Sequence, residues 1–83
     1  MNDEYTKHQA ARIRRLSDDE LNHEIEHLGH QIEIEISIRN AALEDGAFEA
    51  ADNVEASLVT MRQALRALWK EWQRRLDREF TQE

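Results

Sequence analysis

Apolar residues between Leu21 and Leu43 repeat on two periods at once. Leu21, Ile25, Leu28, Ile32, Ile36 and Leu43 fall on one stripe at about 100° per residue, the spacing of an amphipathic helix. Within it, Ile32, Ile34, Ile36 and Ile38 alternate with Glu33, Glu35 and Ser37, the period-two signature of a half-buried strand. No Pro or turn signal bounds the alternating run, so it is read as part of a long helix. Such a helix is apolar on two opposite faces. One hairpin partner covers the first, and the second requires a partner of its own.

The start of this helix is marked locally. Ser17 can cap the free N–H groups of a first turn, and Glu20 can reach back to complete a capping box. Leu16 and Leu21 flank the cap as a hydrophobic staple, and Asp18 and Asp19 supply negative charge at the helix N-terminus. Gly46 can adopt the left-handed conformation that ends a helix. A second stripe follows with three-four spacing: Ala51, Val54, Leu58, Met61, Leu65, Leu68 and Trp72, widened by Trp69, Leu76 and Phe80.

The prediction is an all-α antiparallel hairpin with helix 1 over about 18–44 and helix 2 over about 47–80. Residues 1–16 form a short N-terminal helix or arm, with Tyr5, Ile13 and Leu16 covering the end of helix 2. Residues 17–83 form the hairpin. Folding at Gly46 pairs residue n with about 91 − n, because a short link leaves the helices side by side. The acidic start of helix 1, Asp18 to Glu26, is then expected beside Arg62, Arg66, Lys70 and Arg74. Two or more chains are expected to associate into a dimeric helical bundle, through the Ile34/Ile38 face or the Trp-rich end.

Composition narrows the class. Eighty-three residues make one small domain, near the size at which oligomerisation helps a limited core. There is no Cys, which removes disulfides and thiolate metal sites. No long apolar run or signal-peptide core is present, so a cytoplasmic protein without membrane attachment is expected. The net charge of −7 is unevenly spread. Residues 17–60 hold twelve acidic groups against Arg39 alone, while both flanking segments carry a balance of +2. Nucleic-acid binding needs a continuous basic surface and is not expected.

Several patterns invite chemistry. A period-two strand followed by helices resembles the outline of ribbon-helix-helix repressors, but Glu33 and Glu35 would face phosphates, and the next 40 residues lack a turn dividing them into two helices. His23, His27 and His30 stand at i, i+4 and i+7 on the side of helix 1 that carries Ile34, Ile38 and Ala41. Histidines at this spacing can share a metal. With no cysteine to assist, they are read instead as the edge of a protein interface. Glu24 and His27 form the Glu-x-x-His pair of di-iron bundles, but Arg62 and Arg66 on the facing helix would oppose an iron centre.

No nucleophile with its base and no Gly-rich phosphate loop is present, so neither catalysis nor a cofactor is expected. Gly46-x-Phe48-x-x-Ala51 resembles the second-helix start of a tetratricopeptide repeat, yet Glu55 and Leu58 replace the aromatic and small residues expected later, and no second repeat follows. Trp69 and Trp72 are candidates for partner or core packing. The acidic tip, Glu44, Asp45, Glu49, Asp52 and Glu55, is a solvated end or a docking point for a basic surface. The function expected is a small non-enzymatic regulator or adaptor that binds and occludes a protein partner. Its interface residues are His23, His27, His30, Ile34, Ile38, Trp69 and Trp72. The alternatives are a structural oligomerisation module and a histidine-based metal- or pH-responsive protein.

Overall fold

A computed structural model describes the backbone of residues 2–81 and the side chains of residues 7–78. It contains three helices: α1, Asn2–Arg14; α2, Asp18–Glu44; and α3, Phe48–Thr81. The alternating isoleucines lie within α2, so no strand forms over them. The long helices α2 and α3 pack against each other as an antiparallel hairpin, and α1 adds to the end remote from the turn. The expected side-chain positions of Tyr5 and Phe80 lie outside the described residues.

Both ends of α2 follow from local chemistry. The Glu20 N–H donates to Ser17 Oγ at 3.1 Å, and the Ser17 N–H donates to Glu20 Oε1 at 2.9 Å. These reciprocal bonds satisfy two donors that a helix start leaves free, and they hold the Glu20 carboxyl below its ordinary value. At the other end Gly46 adopts φ +75°. The Gly46 N–H reaches the Leu43 carbonyl at 3.1 Å and the Ala47 N–H reaches the Ala42 carbonyl at 2.8 Å, the two bonds of a Schellman motif.

The α2–α3 seam follows the three-four spacing. Leu21, Ala51, Leu58 and Leu68 are buried, and Ile25, Leu28, Ile32, Ile36, Val54, Met61, Leu65 and Trp72 are half-buried between the helices. Leu43, predicted on the same stripe, is exposed. Near the turn Ala51 is the buried α3 residue, and an alanine offers a leucine little cover. Cross-helix ion pairs join Asp18 to Arg75 and Arg39 to Glu55. That register lies about two or three residues beyond the expected one, because the link takes residues 45–47 out of the helices rather than Gly46 alone. The shift changes the charge pairing. Asp18 meets Arg75, Arg74 turns to Glu71 on its own helix, and Glu24 pairs with Arg12 of α1. Among the described residues, Arg62, Arg66 and Lys70 form no ion pair within the chain.

The main core lies where three helices meet. Ile13 of α1, Leu21 of α2 and Leu68 of α3 are buried together, with Leu16, Ile25, Leu28, Ala67 and Trp72 packed around them. One side chain locks α1 onto this cluster. Arg75 Nη2 donates to the carbonyls of Ile13, Arg14 and Leu16 at 3.3, 3.3 and 2.7 Å. Ile13 and Arg14 close α1, where helix geometry leaves carbonyls short of partners, and Leu16 lies in the link to α2; the Ile13 carbonyl also accepts the Leu16 N–H at 3.1 Å. The same guanidinium donates to Asp18 Oδ1 and Glu71 Oε2, each at 2.8 Å.

Glu71 anchors the clasp. It is the buried charged residue of the described set and takes Arg74 in a two-point bond at 2.8 and 2.9 Å besides Arg75. The Arg74 hydrogen bond is the main reason its carboxyl falls from 4.5 to about 2, with Arg75 adding to the effect and burial opposing it. A lowered carboxyl stabilises the fold above its ordinary value and loses that contribution as pH falls toward the lowered one.

Replacing Arg75 by Ala is expected to cost about 3 kcal/mol, since it removes one of the two cations on buried Glu71 and the side-chain donor to the carbonyls of Ile13, Arg14 and Leu16. Arg75→Lys should recover only part of this, because an ammonium cannot span the same acceptors. Thermal melts give the energies, and rapid hydrogen exchange across Gln9–Arg14 in the variants would locate the loss at α1. In wild type, stability should fall between pH 4.5 and about 2 as Glu71 protonates. Glu71→Gln should be less stable at neutral pH and show a flatter acid limb in denaturant titrations.

Candidate functional site

α2 turns its second apolar face outward. Ile34 and Ile38 are 40% and 48% exposed, and His23, His27, His30 and Ala41 are exposed on the same side of the helix. Position along the helix explains this: these residues lie roughly opposite the Leu21–Ile25–Ile32–Ile36 seam at about 100° per residue. Helix α3 occupies the seam side, and α1 reaches only the base of the hairpin. Among the described residues, nothing covers the upper part of this face.

The histidines line one edge of that face. Among the described residues, no group of three or more His, Cys, Asp or Glu side chains converges as a metal site would require. Glu24, half of the Glu-x-x-His pair, accepts Arg12 Nη1 at 3.1 and 3.3 Å through its two oxygens. The carboxylate that iron would need therefore faces a cation from α1.

The two tryptophans separate. Trp72 packs onto the core cluster of Ile13, Leu21 and Leu68, where it supports the fold, while Trp69 is 48% exposed. Three positions along a helix fall about 60° short of a full turn, which carries Trp69 out of the seam. At the tip, Glu44, Asp45, Glu49 and Asp52 are exposed, whereas Glu55 is engaged by Arg39. Arg39 is the sole cation of residues 17–60, and it is spent on tying α2 to α3.

Sequence reading did not single out Phe48, Val59 or Leu76 as interface residues, yet all three are exposed on α3. A signal for Phe48 and Val59 exists in the spacing, since each stands a whole number of three-four steps from Trp69. Surface depressions at the tip, beside Phe48 and Asn53, and at the base, beside Leu16 and His23, are shallow and open. Among the described residues, no helix is long and apolar enough to cross a membrane. No protein-family model, curated protein or solved structure matches the chain.

Proposed function

We propose that this protein is a small non-enzymatic regulator or adaptor that binds a protein partner along the outer face of α2 and occludes the partner's own helix groove. The observation that carries the reading is the exposed Ile34/Ile38 pair on a helix whose opposite face is already committed to the hairpin. Apolar residues four apart are the anchors by which a helix seats in a groove. The histidines beside them add hydrogen-bonding capacity at the rim, and Glu33 and Glu35 flank the stripe with charge that favours a partner with a basic margin. No step of this function requires a cofactor or a catalytic residue. Self-association of the chain is compatible with it and uses a different surface, argued below.

The face can be tested without disturbing the fold, because Ile34 and Ile38 are outside the seam. Ile34→Glu and Ile38→Glu should keep the wild-type melting temperature to within about 0.5 kcal/mol of stability, as exposed substitutions usually do. Proteins captured from the native host by the wild-type chain should be lost by both variants. Retention of the same proteins at the same yield by the double variant would end this reading.

A further inference from the structure

The α3 helix carries a second stripe beside its seam. Stepping from Phe48 by four and three residues reaches Asp52, Glu55, Val59, Arg62, Arg66 and Trp69. Each of these from Asp52 onward follows a seam residue by one position, so the stripe runs about 100° from the seam, close to a quarter turn. Two apolar or amphipathic stripes a quarter turn apart are what a helix needs when it touches two neighbours, as in a four-helix bundle. Among the described residues, α2 is the neighbour of α3 along most of this length, and α1 joins it near Leu68. Phe48, Val59 and Trp69 are 66%, 51% and 48% exposed.

The stripe's charges are arranged antisymmetrically about Val59. Acids stand on the turn side, Asp52 and Glu55, and cations on the far side, Arg62 and Arg66, at nearly equal distances. Among the described residues, Asp52, Arg62 and Arg66 have no ion-pair partner within the chain, while Glu55 is held by Arg39. A helix with this pattern is complementary to its own reversed copy. A parallel copy would set Asp52 on Asp52 and Arg66 on Arg66, which repel.

We propose that a second copy of this chain packs antiparallel along the α3 stripe, with a two-fold axis beside Val59. Asp52 then meets the partner's Arg66, Glu55 the partner's Arg62, and Phe48 the partner's Trp69, each contact occurring twice. This is the self-complementary arrangement a two-fold interface requires. The matching edge of α2 carries Glu26, Glu33 and Glu44. Those like charges keep the two α2 helices apart, so the hairpins cross at α3 rather than aligning along their full length. The outer face of α2 stays open in this dimer, and the proposal does not depend on the regulator reading.

The test uses the full chain and measures mass by sedimentation equilibrium, with circular dichroism to confirm folding. Wild type should be a dimer whose affinity falls as salt is added. Asp52→Arg and Arg66→Asp should each fold normally and weaken the dimer by at least about tenfold, because each creates two like-charge contacts. Mixed in equal amounts, these two variants should restore a dimer containing one of each. Val59→Glu should be monomeric, whereas Ile34→Glu should leave the dimer unchanged. A monomeric wild type, a failure of the mixed variants to recover association, or dimer loss on Ile34→Glu with retention on Val59→Glu would each overturn the proposal.

Discussion

Arg75 gathers main-chain carbonyls from Ile13 and Arg14 at the end of α1 and from Leu16 in the link to α2, while Glu71 holds Arg75 in place. This clasp decides the architecture at the base of the molecule. Without α1, the buried surfaces of Leu21 and Leu68 would lose the side chain that joins them, Ile13. A buried carboxylate is costly unless it is both paired and hydrogen-bonded. Glu71 meets that condition with two arginines, one of which also spans to Asp18 at the start of α2. The end of α1, the start of α2 and the body of α3 are thereby linked through one charged network.

Toward the turn the chain relies on different forces. The seam narrows to Ala51 and Leu58 as its buried residues, and the Arg39–Glu55 pair replaces part of the apolar contact. A partly exposed ion pair of this kind contributes modestly on its own. The tip is therefore held chiefly by the geometry of its link, with Gly46 supplying the backbone conformation that directs α3 back along α2. The hairpin is firm at its base and lightly tied at its tip.

Local patterns were legible in the amino-acid sequence wherever one element sufficed to define them. Ser17 and Glu20 announce a helix start because their bonds span three residues, and the α3 seam from Ala51 to Trp72 follows from spacing alone. The dual role of the isoleucines also follows from spacing, since Ile32 and Ile36 enter the seam while Ile34 and Ile38 remain outside. Arg75 was not legible. In sequence it is one of two adjacent arginines, and its task depends on where α1 ends against α3. The exact cation facing Asp18 was missed for a related reason: three residues lost to the turn shift every cross-helix pair, which apolar stripes tolerate better than point charges do. Trp69 and Trp72 shared a stripe in sequence, and only the position of α1 showed that one of them belongs to the core.

Arg39 has a consequence for how this chain meets proteases. From Ser17 to Thr60 it is the only residue after which an arginine- or lysine-directed protease can cut. It sits in the body of α2 with its side chain only 23% exposed and bonded across to Glu55. Cleavage needs an extended backbone, so this bond is protected while the hairpin is closed and becomes available when the tip opens. Over more than half of the chain, survival against such a protease is thus governed by a single position, the same one that ties the two long helices together.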